Sequence, residues 1–154
     1  MAKLHHVKNA KKARPEHNIE VGDEYWWWKH YGREKQCSKV RPTRKQLTTS
    51  EYLRQVYNWI DDMPNFESLS DLEAHNDNFV LELDSIADDY QGRLDSMPDH
   101  LQTTAPSAIL LTNRIELLQA ISSELQSFSF EREDEDLEEV IDEYREIVQR
   151  LEEG

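Results

Sequence analysis

The sequence is poor in the residues that form turns, and this scarcity restricts the folds open to it. Only four of its 154 residues are glycine and five are proline, whereas a sandwich of many short strands needs a turn former at most connections. The single cysteine excludes an internal disulfide and is typical of a reducing compartment. No apolar run approaches the length needed to cross a membrane, and the first residues lack the apolar core of a signal peptide. We therefore expect a mainly helical, soluble, cytoplasmic protein.

Charge is distributed very unevenly along the chain. Residues 1–47 contain 12 Lys and Arg against five Asp and Glu, whereas residues 48–154 contain six against 27. A basic segment of net charge +7 therefore precedes an acidic segment of −21, within a total of −14. The basic segment could attract a polyanion such as nucleic acid, which the acidic segment would repel at long range.

The sequence predicts three parts. Residues 1–19 are polar, basic and without periodicity, so we interpret them as a flexible arm or, alternatively, a solubilising tail. Residues 20–47 are interpreted as a basic aromatic lobe, because the strand-prone run 24–31 is followed by a glycine-containing loop and a second strand-like segment. Residues 48–154 are interpreted as an acidic helical body.

Apolar residues at helical spacing predict four helices in this body. Thr48 and Glu51 fit a capping box at the start of the first. Caps and prolines give the predicted bounds. The first helix runs from Thr48–Ser50 to Pro64, and the second from Ser68 or Ser70 to Met97. The third begins at Pro106 or Ser107, and the fourth near Asp134 or Asp136.

The second and third predicted helices carry matching apolar stripes. Between Leu69 and Met97 the apolar residues follow steps of three, four and seven, with Asn76 and Arg93 as polar members of the seam. The short connection to the next stripe favours an antiparallel helical hairpin, although a homodimer would use the same surface. The predicted fold is therefore mainly α, with an N-terminal aromatic β-hairpin on a long helical hairpin and one or two further helices.

The basic aromatic lobe is the first candidate site. Nucleic-acid-binding proteins combine cations that contact phosphates with aromatic rings that stack on bases. The predicted nucleic-acid-binding residues are Tyr25, Trp26, Trp27, Trp28, Lys29, Arg33, Lys35, Lys39 and Arg41. In a strand, Tyr25 and Trp27 would share one face and Trp26 and Trp28 the other. The alternative is that these rings form the core of a small lobe.

Two family resemblances rest on the segment from Gly22 to Lys39. The run Tyr25-Trp26-Trp27-Trp28-Lys29, followed by Tyr-Gly and Ser-Lys, resembles small, mostly uncharacterised bacteriophage proteins over roughly residues 3–55. That resemblance implies a location in the host cytoplasm and no known activity. The segment is also similar to the arm-binding domains of phage tyrosine recombinases, which place an aromatic, basic strand and a Gly-Lys turn against DNA. This similarity lacks an evident third strand and a catalytic segment, and it implies that Lys29, Arg33 and Lys35 face phosphates.

The acidic body provides the second candidate site. Carboxylates in rows on helices can imitate the phosphates of nucleic acid and occupy a basic groove of another protein. The predicted partner-binding residues are Asp84, Asp88, Glu138, Asp142, Glu143 and Glu146. The alternative is that these faces only keep the protein soluble and monomeric.

Potential metal ligands occur without a strong pattern. The scattered candidates are His5, His6, His17, His30 and Cys37. Asp71 and His75 lie one helical turn apart but would need ligands from another helix. The run Glu135-Glu138-Glu139-Asp142 is similar to one half of the paired acidic motif of nucleotide pyrophosphohydrolases, and the second half is missing. We expect no metal site, no cofactor and no catalytic residue.

The functional prediction is a non-enzymatic phage protein that binds nucleic acid, or host machinery that handles it, through the basic aromatic lobe. The competing hypothesis is an anti-defence or regulatory inhibitor that acts by protein contact. In that case the acidic helices would fill a basic groove on a host effector. A helical adaptor that dimerises through its seam is a third alternative.

Overall fold

The computed structural model describes residues 1–131, 133 and 136–154, and the chain forms two compact units, Met1–Asp61 and Asp62–Gly154. The described residues contain three strands and five α-helices, so the fold is mainly α, as predicted. The elements are β1 (Leu4–Val7), β2 (Tyr25–Lys29), β3 (Lys35–Ser38), α1 (Arg44–Leu47), α2 (Glu51–Asp61), α3 (Leu69–Asp95), α4 (Pro106–Gln126) and α5 (Leu137–Gln149). The division between units follows α2, whereas the sequence placed it at residue 48.

The first unit is built on a three-stranded antiparallel sheet instead of the predicted hairpin. The strand order is β1-β2-β3, so the aromatic strand β2 is central and hydrogen-bonded along both edges. On one side Trp27 lies opposite His5, and on the other it lies opposite Cys37. The third strand, which the sequence left unidentified, comes from the N-terminal segment.

Residues 1–19 do not form the predicted flexible arm. They supply β1 and then cover one face of the sheet, where Ala10 and Ile19 are buried with Tyr25. The backbone of Ala10 also makes two 2.8 Å hydrogen bonds with the turn at residues 22–23. The prediction was wrong because the two apolar anchors are isolated in the sequence and follow no period.

The turns on either side of β2 each depend on a glycine. Gly22 has a φ of 92° and Gly32 a φ of 70°, which is a backbone region that residues with a Cβ rarely adopt. The second turn connects β2 to β3, with Tyr31 and Gly32 at its centre and Arg33 directly after them.

A short helix, α1, precedes the first predicted helix and was missed. Thr43 and Gln46 form its capping box, and the Gln46 side chain accepts a 2.9 Å hydrogen bond from the Thr43 backbone. The predicted capping box at Thr48 is wrong. Ser50 caps α2 instead, because its hydroxyl accepts a 3.2 Å hydrogen bond from the backbone N–H of Leu53.

The second unit contains the predicted helical hairpin. Asn76 on α3 donates a 3.0 Å hydrogen bond to the Leu125 carbonyl on α4, and Ser122 on α4 donates a 2.6 Å bond to Asp84 on α3. Residues later in α3 therefore contact residues earlier in α4, so the two helices are antiparallel. The buried residues of α3 are Leu69, Leu72, Asn76, Phe79, Val80, Leu83, Ala87 and Tyr90. Asn76 is a core residue, as the seam predicted.

Helix α5 completes the second unit. It begins after Asp136, within the predicted range, and buries Val140, Tyr144 and Val148 at steps of four. The alternative start at Asp134 lies outside the described residues. Among the residues that the structure describes, no helix has both the length and the apolar character that crossing a bilayer requires.

Candidate nucleic-acid interface

The boundary between the units also separates the charges. The first unit contains 13 Lys and Arg against seven Asp and Glu, a net charge of +6. The second contains five against 25, a net charge of −20. Of the two units, only the first therefore has a net charge of the sign that favours contact with a polyanion.

The aromatic run in β2 is divided between core and surface. Tyr25 and Trp28 are only 7% and 5% exposed, and the alternation of a strand puts them on opposite faces. Trp26 and Trp27 are half-buried. Tyr25 and Trp28 are therefore core residues, as the alternative interpretation of the sequence proposed, and they are not available to stack on bases.

The two half-buried indoles already have stacking partners. The ring centroids of Trp27 and His5 are 3.9 Å apart, and those of Trp26 and His6 are 4.7 Å apart, both nearly parallel. The Lys35 ammonium lies 3.9 Å from the Trp27 centroid, in a cation–π contact. Each indole therefore has a stacking partner already in place, so a nucleobase would have to compete with that partner or use the opposite ring face.

The predicted phosphate-binding cations differ in their surroundings. Lys29, Arg33 and Arg41 are exposed. Lys39 is 3.1 Å from the Asp23 carboxylate, whose pKa is lowered first by the backbone N–H of Glu20 and then by Lys39. The charge of Lys39 is thus partly compensated within the unit.

Lys29 and Lys35 are directly opposite each other at the end of the β2–β3 ladder. Two like charges at such a position destabilise the pair of strands. The Lys35 ammonium lies against the Trp27 ring, and an anion near both lysines would reduce their repulsion.

A cleft of about 420 Å³ opens on the other face of the sheet, where Trp28 and its cross-strand neighbour Gln36 line it. We call it the Trp28 cleft, because it lies next to the buried indole. Its lining residues are Trp28, His30, Arg33, Glu34, Gln36, Lys45, Gln46, Thr48, Thr49 and Arg54. Three cations face one carboxylate, and hydroxyl and amide groups supply further hydrogen-bond donors. This composition suits a phosphate-bearing ligand.

The Trp28 cleft is assembled from three separate parts of the chain. His30, which follows β2, makes a 3.0 Å hydrogen bond to the Gln46 carbonyl at α1. Arg54 on α2 donates a 3.4 Å bond to the Thr48 carbonyl. Lys45 belongs to the predicted lobe but was not included among its binding residues, and Arg54 lies outside that lobe and was missed. The one local pattern that could have located Lys45 was the capping box of Thr43 and Gln46, which marks the start of the helix that contains Lys45.

Arg44, although basic and nearby, has a structural role. Its guanidinium bonds Asp61 through Nε at 3.1 Å and Nη2 at 2.7 Å, and it lies 4.3 Å from the centre of the Tyr57 ring. These contacts connect α1 to α2, so Arg44 positions the neighbouring Lys45.

The acidic candidates are not equivalent either. Asp88, Glu138, Asp142 and Glu146 are exposed, whereas Glu143 is half-buried and engaged with other groups. Asp84 is half-buried and accepts the hydrogen bond from Ser122, so the prediction that it lies on a free solvent face is wrong. Asp84 therefore connects α3 to α4 through this hydrogen bond.

The candidate metal ligands are not brought together. His75 lies among the rings of Phe66, Phe79 and Tyr144, at centroid distances of 5.1, 6.0 and 6.2 Å. Within residues 1–131, 133 and 136–154, no three His, Cys, Asp or Glu side chains converge as a potential metal site. Glu135 of the acidic motif lies outside these residues.

Comparisons with protein-family models, with curated proteins and with solved structures found no match to this chain. The function is therefore inferred from the geometry of the two units.

Proposed function

We propose that the protein is a non-enzymatic nucleic-acid-binding protein whose first unit holds phosphates at the Trp28 cleft and, on the other face of the sheet, at the Lys29–Lys35 pair. The observation that carries this proposal is the convergence of Arg33, Lys45 and Arg54 on one cleft in a unit of net charge +6. The resemblance to phage proteins extends the proposal to a phage protein that acts on nucleic acid in the host cell.

The cleft has the chemistry that phosphate binding needs. Arginine presents several N–H donors in a planar fork, which matches two oxygens of one phosphate. Arg33 is exposed in the loop between β2 and β3, so it can contact a ligand without unfolding any element. Contacts to phosphate are independent of sequence, so binding to many sequences is expected.

The second unit adds a counteracting charge. Its net −20 repels a polyanion at a distance, and this repulsion is screened at physiological ionic strength over about 8 Å. The acidic unit therefore limits indiscriminate adsorption and leaves binding to the close contacts of the first unit.

The test is fluorescence anisotropy of the full chain with labelled single-stranded DNA, duplex DNA and RNA over a series of salt concentrations. The logarithm of affinity should fall linearly with the logarithm of salt concentration. Arg33→Glu should weaken binding by about tenfold or more, because a charge-assisted hydrogen bond contributes roughly 1.5–3 kcal/mol.

The matched control is Lys12→Glu, which makes the same charge change at another exposed cation of the first unit. It should reduce affinity much less than Arg33→Glu. Equal losses would show that net charge alone is responsible, and the absence of binding at the lowest salt would refute nucleic-acid binding.

A second candidate function is inhibition of a host effector by the acidic helices. Glu138, Asp142 and Glu146 are exposed at steps of four on α5, where like charges repel one another. A basic groove on another protein would relieve that repulsion. Capture of a nucleic-acid-binding protein from host lysate, lost in Asp142→Lys/Glu146→Lys, would favour this function over the first.

A further inference from the structure

Tyr31 is the most exposed aromatic residue of the first unit, and it was not among the residues predicted to bind. Its exposed fraction is 106%, so no other described residue covers its ring. Among the residues that the structure describes, every other Phe, Trp and Tyr is buried or half-buried. Tyr31 therefore differs from the half-buried indoles of β2, which already have stacking partners, because both faces of its ring are open to solvent.

The turn that contains Tyr31 holds it in place. The backbone N–H of Arg33 donates a 3.1 Å hydrogen bond to the carbonyl of His30 and so closes the turn. The φ of Gly32, 70°, is the positive angle that the third position of a type II turn requires. The His30 ring is also hydrogen-bonded to the Gln46 carbonyl at α1, at 3.0 Å. A ring presented on an anchored turn loses little conformational entropy when a ligand covers it.

The surroundings of Tyr31 are cationic. Lys29 lies two residues before it and Arg33 two residues after it, and both are exposed. Residues 29–35 contain three Lys and Arg against one carboxylate. Arg33 also lines the Trp28 cleft, and its Cα lies at most about 7 Å from that of Tyr31, because only two residues of chain separate them. A base on the Tyr31 ring and a phosphate at Arg33 can therefore belong to one nucleotide.

An open aromatic ring between exposed cations is typical of proteins that bind single strands. Such proteins hold the backbone with cations and stack successive bases on aromatic rings. The bases of a duplex are stacked on one another, so a protein ring can cover one only after it has been unstacked. A protein partner suits this turn less well, because lysine is depleted in protein interfaces and the central aromatic residues of those interfaces fill packed pockets.

We propose that Tyr31 stacks on an unpaired base whose phosphate is held by Arg33, so that the first unit prefers single-stranded nucleic acid to duplex. This inference rests on the proposed function and adds to it the class of nucleic acid and a residue that contacts bases. Stacking tolerates many sequences because every base has a planar face, so the preference is for unpaired strands in general.

The test is a double-mutant cycle between the full chain and the strand, measured by fluorescence anisotropy at low salt. One probe is a labelled oligothymidylate of about ten nucleotides. The other has the same length and abasic residues in place of every thymidine, so it keeps the phosphates and lacks the bases. The unmodified chain should bind the oligothymidylate about tenfold more tightly, as expected for the loss of one stacked base.

Tyr31→Ala should remove this difference between the strands. Its affinity for the oligothymidylate should be about tenfold lower than that of the unmodified chain, whereas its affinity for the abasic strand should change less than about twofold. Tyr31→Phe keeps the ring and should retain the preference for the strand that carries bases.

The matched control is Val21→Ala. Val21 is exposed and immediately precedes Gly22 in the other turn, as Tyr31 precedes Gly32, so the variant removes an apolar side chain from an equivalent position. It should change the affinity for either strand less than about twofold. Circular dichroism should show all the variants folded, because both positions are exposed.

A duplex of oligothymidylate and oligoadenylate of the same length completes the comparison. It keeps the phosphates, but its bases are stacked internally. It should bind about tenfold more weakly than the single strand, because it lacks the stacking contact, and Tyr31→Ala should change its affinity less than about twofold.

Failure of this inference can be distinguished from failure of the proposed function. Equal binding of the oligothymidylate and the abasic strand would overturn this inference alone, because phosphate binding at the Trp28 cleft would remain. The same holds for equal binding of duplex and single strand, and for a loss from Val21→Ala as large as that from Tyr31→Ala. Absence of binding to every strand at the lowest salt would overturn both.

Discussion

Replacing Asn76 with leucine should stabilise the second unit, although it removes a hydrogen bond. The native side chain gains about 1 kcal/mol from its bond to the Leu125 carbonyl, whereas burying its unpaired Oδ1 costs roughly 1–3 kcal/mol. The Leu125 carbonyl stays paired after the change, because the backbone N–H of Phe128 donates to it at 3.3 Å. Leucine also adds apolar burial, and its different shape adds some packing strain. The expected net change is an increase of about 1 kcal/mol in the free energy of unfolding.

The distribution of tryptophan makes the assay specific to each unit. All four tryptophans lie within the first unit, so their fluorescence in urea follows that unit alone. Circular dichroism at the helix band mainly follows α3, α4 and α5 of the second unit. Asn76→Leu should move the circular dichroism transition to higher urea and leave the fluorescence transition in place.

A matched control is Asn78→Leu, at an exposed position two residues along α3, which should change the stability by less than about 0.5 kcal/mol. A loss of more than about 1 kcal/mol in Asn76→Leu would refute the assignment of an unpaired oxygen. Sedimentation should also be compared, because a polar residue in a helical seam can fix register and oligomeric state. A mixture of oligomers in Asn76→Leu alone would show that Asn76 has this role.

Three further predictions concern the second unit. Burial lowers the pKa of His75 below its ordinary 6.5, with Glu82 opposing the shift, so the unfolded chain binds a proton first as the pH falls. Stability measured by urea unfolding should therefore decline below about pH 6.5, and His75→Phe should reduce that decline; an unchanged pH profile would contradict the shift. Burial raises the pKa of Tyr144, so the folded state keeps a proton that the unfolded state loses, and stability should fall as the pH rises above about 10. Tyr144→Phe should remove this alkaline loss and leave stability at pH 7 equal or up to about 1 kcal/mol higher, because the hydroxyl has no partner within the described residues. Ser68→Ala should cost about 1 kcal/mol in thermal or urea unfolding, since Ser68 Oγ accepts the Asp71 N–H at 3.2 Å as the cap of α3; a loss below about 0.3 kcal/mol would count against that cap.

The success of the helix predictions has a local physical cause. The starts of α3 and α4 follow from Ser68 as a cap and Pro106 at the first position, and both lie where the sequence placed them. The apolar stripe that includes Asn76 also follows from the spacing of residues within one helix. The prediction of capping residues failed where two similar patterns were close together. The capping box was assigned to Thr48 and Glu51, whereas Thr43 and Gln46 form it.

The candidate site was only partly predictable. Arg33, Lys29 and Lys35 were identified, because cations beside an aromatic strand form a recognisable pattern. Lys45 and Arg54 were not, because they line the Trp28 cleft together with Trp28 and Gln36 only through the tertiary arrangement of α1, α2 and the sheet. Composition could not show that Asp84 would be used to join two helices.

The sequence by itself determined the elements and the charges: the amphipathic helices, the aromatic strand and the opposite signs of the two ends. These are properties of neighbouring residues and need no knowledge of distant ones. Only the tertiary structure decided that residues 4–7 pair with β2, that Tyr25 and Trp28 are core while Trp26 and Trp27 reach the surface, and that Asn76 Oδ1 is left without a donor. Each of these depends on contacts between residues far apart in the chain, which short-range patterns do not record.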